Sequence, residues 1–203
     1  MKVLICVLVG YLLGCISPSY MISKIKQVDL RKEGSGNLGA TNTYIYMGKG
    51  WGILVLLCDL SKAILAIKLT AWLFPEMRLA GVITGCAAII GHIFPFYLRF
   101  KGGKGLACLA GMMMELDFSC FLFLLVTSLI LIAIVNWGIA SAFYAPTMFS
   151  VLYSVKLGSW AAFLIMAFTS ACMMWRHRGN LKSIQEGNEL SVRDFFSKNK
   201  KSR

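Results

Sequence analysis

The chain has 203 residues, of which 58% are hydrophobic and 15% are charged. A soluble domain of ordinary composition carries about 25% charged residues, so this composition argues against a soluble protein. The 21 Lys and Arg residues outnumber the 9 Asp and Glu residues, which gives a formal net charge of +12. Such a charge suits either nucleic acid or an anionic membrane surface, and the apolar segments decide between them.

Long uncharged segments predict a membrane protein that crosses the bilayer several times. A helix needs about 20 apolar residues to cross the hydrocarbon core. Four uncharged runs reach about this length, at 3–23, 79–98, 118–155 and 157–175. A fifth segment, 51–74, is long enough but contains Asp59, Lys62 and Lys68. We therefore expect an all-α polytopic membrane protein with one domain over 1–203, surrounded by membrane lipids and binding no nucleic acid.

The first apolar run is interpreted as a helix that is not cleaved. It begins after one Lys and contains Gly14-Cys15, which superficially resembles a signal peptide with a lipoprotein-type cysteine. The run continues beyond that cysteine, and cleavage would remove a full-length span. The seven cysteines are scattered singly, and neither His has the spacing of a metal site relative to them. They are interpreted as small core residues, and no metal centre or cofactor is predicted.

The distribution of basic residues predicts the orientation in the membrane. Sixteen of the 21 lie in the segments 24–50, 99–104 and 176–203. The positive-inside rule assigns these segments to the cytoplasm. The connection at 75–78 is short, carries one charge of each sign and suits an external turn. The N-terminus is therefore expected outside, and the C-terminus, with a basic tail at 190–203, in the cytoplasm.

If residue 104 and the C-terminus both lie in the cytoplasm, the chain must cross the membrane an even number of times between them. Three apolar runs nevertheless remain, at 118–135, 137–155 and 157–175. We expect five full spans, or seven transmembrane helices if broken or re-entrant helices are counted. The expected irregular region contains Asn136, Gly138, Ser141 and Pro146, because such residues are tolerated at membrane depth where a broken helix lines a cavity. A break within 91–111 is the alternative.

The first basic segment contains the glycine-rich sequence GSGNLGATN at 34–42, called the first motif. It matches G-x-G-x-x-G, and Asp59 lies 20 residues beyond Gly39, as in a dinucleotide-binding fingerprint. That fingerprint must follow a buried strand, whereas charged residues precede this motif and a membrane run follows it. The amides freed by glycine, with the Ser, Asn and Thr side chains, suit an anion. A flexible connection is the alternative interpretation.

The second motif reads GHIFPFYLRFKGGKG at 91–105. Its two lysines alternate with glycines, which suits close approach to a phosphate. The Walker pattern is not met, because Gly105 follows Lys104 where Ser or Thr is required. The lysines of a membrane boundary also snorkel and contact lipid phosphates, and this interpretation stays open.

The third motif covers 177–189, where His177 and Asn180 are three residues apart and share a face of any helix. A merely solvated histidine is the alternative. Asp59 and Lys62 have the same spacing within the membrane, where charges are costly unless they are paired or functional. We interpret them as a structural ion pair.

Taken together, the three motifs resemble those of the bacterial acyl-phosphate:glycerol-3-phosphate acyltransferases, over nearly the whole chain. The resemblance implies an integral membrane enzyme of the bacterial inner membrane whose active site faces the cytoplasm. It also implies transfer of a fatty acyl group from acyl-phosphate to the sn-1 hydroxyl of glycerol 3-phosphate, which releases phosphate and forms lysophosphatidic acid, the first acylation of phospholipid biosynthesis. The enzyme that produces acyl-phosphate is an expected partner, and no cofactor or metal is implied.

The resemblance also implies which residues act. The expected catalytic residues are Ser35, Lys104, Ser141, His177 and Asn180. The expected substrate-binding residues are Gly36, Asn37, Gly39, Thr41, Asn42, Lys101, Gly102, Gly103, Gly105 and Glu189. In this hypothesis the second motif holds acyl-phosphate, Ser35, Asn37 and Asn180 orient glycerol 3-phosphate, and His177 assists removal of the hydroxyl proton. The H-x4-D pair of other acyltransferases is absent.

Two positions depart from the family pattern, since Ile45 and Ser183 stand where its members usually carry Arg. Each loss removes an expected phosphate contact, worth about 1.5–3 kcal/mol, or roughly 10- to 100-fold in affinity. Lys49 and Lys182 are near in sequence and are candidates to compensate. A slow enzyme, a paralogue with another acceptor and an inactive member therefore stay open, as does a lipid-binding or transport protein of another class.

Overall fold

The computed structural model describes residues 1–189 and 191–194, and this part of the chain is helical with no strand. The helices are α1 (Lys2–Cys15), α2 (Pro18–Ile25), α3 (Ala40–Met47), α4 (Lys49–Leu73), α5 (Ala80–Ile93), α6 (Leu106–Leu116), α7 (Phe118–Val135), α8 (Ile139–Leu157), α9 (Trp160–Arg176) and α10 (Arg178–Gln185). A short 3-10 turn, Phe96–Leu98, follows α5. The predicted all-α fold class is confirmed.

Within the part of the chain that the structure describes, three segments are long and apolar enough to cross a membrane, namely Lys2–Ile25, Ala80–Leu98 and Phe118–Val135. They coincide with three of the uncharged runs. α4 has 25 residues, which is also sufficient length, but it carries the charges of the fifth segment. α6 has only 11 residues, about 16 Å of helix and therefore about half of the hydrocarbon thickness.

The irregular region expected over Asn136 to Pro146 is much shorter in the structure. The uncharged run 118–155 breaks only at residues 136–138, where Asn136 adopts φ +61° between α7 and α8. α8 continues through Pro146, so the expectation of a broken helix there was wrong. One proline removes a single helical hydrogen bond, the one that its missing N–H would donate to the Ala142 carbonyl, and α8 continues despite this loss. The Pro146 carbonyl itself accepts bonds from the hydroxyls of Ser150 and Ser170 at 2.7 and 3.0 Å.

The chain divides into two compact units, residues 1–117 and 118–203. In the first unit α1 packs closely on α5 because glycines remove side chains from the contact. A Cβ at Gly14 would lie 2.1 Å from the Ala88 carbonyl oxygen, and one at Gly91 would lie 2.2 Å from the Tyr11 carbonyl oxygen. Small residues of this kind let transmembrane helices approach to backbone contact.

We expect Gly14→Ala to destabilise the protein by about 1–3 kcal/mol, since the new methyl group must push α1 away from α5. Gly50→Ala is the matched control, because Gly50 lies in α4 with no atom near its Cβ position. That substitution should stabilise by about 0.5–1 kcal/mol through helix propensity. Thermal unfolding in detergent measures both, and equal melting temperatures for the two variants would contradict the close α1–α5 contact.

The second unit contains α7 to α10. Phe149 is fully buried in it, and the Tyr144 hydroxyl donates to Thr127 Oγ1 at 3.0 Å, which joins α8 to α7. Asn136 also contacts residues that follow α10, since it accepts bonds from the Val192 amide through its carbonyl and from the Arg193 amide through Oδ1, both at 3.1 Å. The predicted basic tail at 190–203 lies outside the described residues except for 191–194.

Candidate active site

The first motif forms a loop before α3 that is held by a buried side chain. Gly34 and Gly36 adopt φ +53° and +64°, a backbone conformation that favours glycine. Asn42 is 3% exposed, and its Nδ2 donates to the carbonyls of Leu30 at 3.0 Å and Glu33 at 3.1 Å. Its Oδ1 lies 3.4 Å from the Ser35 amide nitrogen. Asn42 therefore holds the loop, a role that sequence reasoning did not assign to it.

The other polar side chains of the first motif are more accessible. Ser35 and Thr41 are exposed, and Asn37 is half-buried. The Asn37 Oδ1 atom is buried and has no hydrogen-bond partner among the described residues. Unpaired buried polar atoms are rare and suggest a missing partner such as a ligand or water. Gly39 precedes α3, whose first-turn amides lack acceptors within the helix.

An ion pair lies beside this loop. The Arg31 guanidinium donates to both carboxylate oxygens of Asp29, at 2.9 and 3.1 Å. This hydrogen bond holds the pKa of Asp29 below its usual value. The Arg31 guanidinium is therefore paired with a carboxylate of the same loop.

The second motif turns the chain back onto the end of α5. Arg99 and Phe100 both have positive φ, +53° and +58°, which makes the turn tight. The Gly102 amide donates to the Ile93 carbonyl at 3.0 Å, and the Gly103 amide donates to the His92 carbonyl at 3.1 Å. These bonds satisfy carbonyls that the helix end leaves unpaired. A Cβ at Gly102 would lie 2.1 Å from the His92 carbonyl oxygen, so close packing explains this glycine.

Lys104 follows this turn and precedes α6. Its side chain is half-buried, whereas Lys101 is exposed. Gly105, at φ +91°, is the N-cap of α6, and the first helical bond runs from the Leu109 amide to the Gly105 carbonyl. The earlier first-turn amides have no acceptor within α6 and, together with a lysine, they suit a bound anion. The arrangement matches the chemistry expected of a phosphate site.

The first and second motifs lie close together in the first unit. Leu30 before the first motif and Leu38 within it pack with Leu98 of the second motif in one buried cluster. Tyr20 and Tyr97 make an edge contact with ring centroids 6.2 Å apart. The Tyr97 hydroxyl donates to the Cys15 carbonyl at 2.8 Å, which anchors the turn to α1. Motifs that are separated by about 50 residues in the sequence therefore share one end of this unit.

The predicted Asp59–Lys62 pair is confirmed, at 2.8 Å, and it has a partner that sequence reasoning missed. Lys62 Nζ also lies 2.8 Å from His92 Nδ1. Asp59, His92 and Cys108 place ligand atoms within 4.8 Å of one another, a metal-type cluster that the cysteine spacing did not reveal. The Lys62 ammonium bridges Asp59 and His92, where it supplies the positive charge that a metal would bring, so these residues fit an ionic network better than a metal centre.

The third motif belongs to the second unit. The Nδ1 atom of His177 lies 2.9 Å from the Met173 carbonyl oxygen, which can only accept. The ring proton is therefore assigned to Nδ1, and Nε2 carries the lone pair needed by a proton acceptor. Asn180 Nδ2 donates to Glu189 Oε1 at 2.6 Å, so Glu189 orients Asn180. Ser141, near the start of α8, donates to the Gly138 carbonyl at 2.8 Å.

The two positions that depart from the family pattern are accessible to a longer side chain. Ile45 lies in α3 and is 50% exposed, an unusual setting for isoleucine at a polar loop. Ser183 lies in α10 and is half-buried. Of the candidate replacements, Lys49 is exposed at the start of α4, and Lys182 lies 3.6 Å from Glu186 at the surface.

Comparisons with known proteins agree with these observations. The family model described as glycerol-3-phosphate acyltransferase matches residues 4–187. Curated glycerol-3-phosphate acyltransferases of Shouchella clausii and Aquifex aeolicus are 39% and 35% identical, over 90% and 93% of this chain and 92% and 98% of their own lengths. A crystal structure of PlsY, an integral membrane glycerol 3-phosphate acyltransferase, in its glycerol 3-phosphate form, has a TM-score of 0.83 and 31% identity, covering 95% of this chain and 96% of that one. Given the family match and these relatives, the chain belongs to the glycerol-3-phosphate acyltransferase family.

Proposed function

We propose that this protein transfers a fatty acyl group from acyl-phosphate to the sn-1 hydroxyl of glycerol 3-phosphate, forming lysophosphatidic acid and inorganic phosphate. The observation that carries this proposal is the turn around Lys104, where a half-buried lysine precedes the amino end of α6 beside the first motif. Such a site stabilises a phosphate and needs no metal. The related PlsY was also solved in a lysophosphatidic acid form, which supports the product.

In the proposed reaction the substrate hydroxyl oxygen attacks the acyl carbonyl carbon. The bond between that carbon and the phosphate oxygen breaks, and phosphate leaves with the electron pair. Lys104 and the first-turn amides of α6 stabilise the charge on the departing phosphate. Acyl-phosphate is an activated anhydride, so positioning and charge stabilisation supply most of the rate and no acyl-enzyme is needed.

The acceptor is oriented by Ser35 and Asn37, whose Oδ1 atom gains a hydrogen-bond partner when substrate binds. For the second unit, the family resemblance implies that His177 accepts the hydroxyl proton, for which Nε2 carries the lone pair, and that Asn180, oriented by Glu189, donates to the acceptor. Lys101 adds positive charge near the second motif, and Gly102, Gly103 and Gly105 shape it. Ser141 is retained as a catalytic candidate on the family resemblance alone.

We further propose that the protein lies in the bacterial inner membrane with seven crossings, the N-terminus outside and the site facing the cytoplasm. Counting Lys2–Ile25, α4, α5, the short α6, α7, α8 and α9 gives seven crossings. The odd number returns the C-terminus to the side of the three basic segments, as the positive-inside rule requires. In this proposal α6 is a short crossing, whereas the alternative for 91–111 was a segment that breaks and re-enters.

Purified protein in detergent should release phosphate from palmitoyl-phosphate in a manner that depends on glycerol 3-phosphate, with lysophosphatidic acid as the lipid product. His177→Ala should lose about 100-fold or more of this rate, because removal of a general base typically costs 10²–10⁴-fold. Hydrolysis of palmitoyl-phosphate without acyl transfer would contradict the proposal. Transfer only to a different alcohol would favour the changed-acceptor reading that Ile45 and Ser183 keep open.

A further inference from the structure

Lys62 is a buried lysine whose ammonium group has three close partners. Its ammonium nitrogen lies 2.8 Å from Asp59 Oδ1, 2.8 Å from His92 Nδ1 and 2.8 Å from the Ile16 carbonyl oxygen. The contacts with His92 and Ile16 are hydrogen bonds, and the contact with Asp59 is an ion pair. The acceptors belong to α4, α5 and the residue that ends α1. Lys62 thus joins three segments of the first unit at one point.

Because the ammonium can only donate, His92 Nδ1 accepts and the ring is fixed by this bond. Asp59 Oδ1 lies 3.3 Å from the same ring nitrogen, and the side chains of Asp59, Lys62 and His92 are all at most 7% exposed. Rotation of the His92 ring would remove one acceptor from the buried Lys62 ammonium, and lost hydrogen bonds of buried charged groups are costly in a membrane interior. The ring orientation is therefore set by the ion pair.

The other side of the His92 ring supports the second motif. A Cβ at Gly103 would lie 2.0 Å from His92 Nε2 and 2.7 Å from Cε1, so the Gly103 backbone rests directly on the ring. The Gly103 amide also donates to the His92 carbonyl. Two residues later, Gly105 packs on Ile89 and Ile93, where a Cβ would lie 3.1 and 3.3 Å from their side chains. The backbone of Lys104 is held between these two contacts.

We propose that Asp59, Lys62 and His92 are positioning residues that set the place of Lys104 through the ring of His92. This inference rests on the proposed function, in which Lys104 binds the phosphate of acyl-phosphate. The three residues touch no reacting atom in this scheme. They hold the backbone of Gly102 and Gly103 in one position. This position in turn determines where the Lys104 ammonium and the amino end of α6 contact the phosphate. A displacement of about 1 Å in such a site is enough to cost roughly 100-fold in rate.

The test compares Lys62→Met with Lys68→Met. Lys68 lies in the same helix and pairs with Glu115 of α6 at 3.2 Å, but it is well exposed and remote in sequence from the turn. Lys62→Met should raise the KM for palmitoyl-phosphate at least tenfold and change the KM for glycerol 3-phosphate less than threefold. Lys68→Met should change neither KM by more than twofold. Equal effects of the two variants, or an unchanged KM for palmitoyl-phosphate in Lys62→Met, would overturn the proposal.

Lys62→Met leaves the Asp59 carboxylate buried without its partner and is at risk of misfolding. The double variant Asp59→Asn with Lys62→Met removes both charges, and such replacements are often tolerated. Its melting temperature should return close to that of the native protein, while the KM for palmitoyl-phosphate stays at least tenfold raised, because His92 is no longer held. Recovery of the native KM together with stability would show that the pair only balances charge and would overturn the positioning role.

Inorganic phosphate separates this inference from the proposed function. The affinity for phosphate is read from the rise in melting temperature that it causes, which requires no turnover. Weakening of at least tenfold in the double variant, with native affinity in Lys68→Met, supports positioning even if the native protein transfers no acyl group. In that case the proposed function fails alone. Unweakened phosphate binding in the double variant would overturn the positioning role.

Discussion

Replacing Lys104 with alanine is expected to lower kcat/KM for palmitoyl-phosphate by roughly 100- to 1,000-fold. Removal of one donor from a preorganised site for developing negative charge typically has this effect. Here the loss includes a full positive charge that is half-buried and held between Gly103 and Gly105. The measurement is the initial rate of phosphate release at saturating glycerol 3-phosphate, with the melting temperature recorded for each variant.

Lys2→Ala is the control for this loss of a lysine. Lys2 is exposed at the start of α1, and its removal does not oppose the proposed orientation, because that end of the chain is assigned to the outside. Its rate should stay within twofold of the native rate. If Lys104→Ala is folded and retains more than a tenth of the native kcat/KM, Lys104 does not bind the phosphate of the acyl-phosphate donor. The second motif would then be assigned to lipid headgroups, as snorkelling lysines suggest.

The apolar runs predicted the helices well because hydrocarbon imposes a simple length requirement. They did not predict where the 38-residue run would break. Asn136, Gly138 and Pro146 all signal irregular backbone, and only the first two lie at the break. Pro146 lies inside α8, where its carbonyl accepts a bond from the Ser170 hydroxyl of α9. That contact depends on tertiary packing and has no local signature.

Some contacts of the candidate site also depend on helix packing and could not be predicted from the sequence. The spacing of Asp59 and Lys62 predicts their ion pair, because both residues lie on one helix. His92 joins them from α5 and is 30 positions beyond Lys62, so only the packing of α4 against α5 reveals it. Similarly, the glycines beside lysines in the second motif suggested close approach to a phosphate, whereas the amides of Gly102 and Gly103 donate to carbonyls of α5. Glycine is needed there because the backbones nearly touch.

The three motifs predicted the family correctly, but they did not predict the individual contacts of their side chains. On the sequence alone, all polar residues of the first motif were assigned to substrate. The Asn42 side-chain amide instead donates hydrogen bonds to carbonyls of the loop itself. The alternating glycines before Asn42 indicated this role in the sequence. A loop with two residues of positive φ needs a side chain that hydrogen-bonds its backbone. Ser35 and Asn37 remain the side chains of this loop that we propose for the acceptor.

Restoring arginine at 45 or 183 is expected to raise kcat/KM for glycerol 3-phosphate by roughly 10- to 100-fold at each position. A charge-assisted hydrogen bond to phosphate contributes about 1.5–3 kcal/mol. Ile45 is half exposed on α3, so Ile45→Arg displaces no packed neighbour. In α10, the Ser183 backbone carbonyl accepts from the amides of Asn188 and Glu189, and Ser183→Arg leaves those bonds in place.

Ile45→Gln and Ser183→Gln are the matched controls, since glutamine adds length and hydrogen-bond capacity without charge. The arginine variants should exceed them at least fivefold, and the gain should shrink at high salt because the contacts are accessible to solvent. A native enzyme that is already fast, with no gain from arginine, would indicate that other cations, such as Lys49 or Lys182, already bind the phosphate. A slow enzyme with no gain would mean that glycerol 3-phosphate is not its acceptor, since the missing charges are the departures from the family pattern that bear on phosphate.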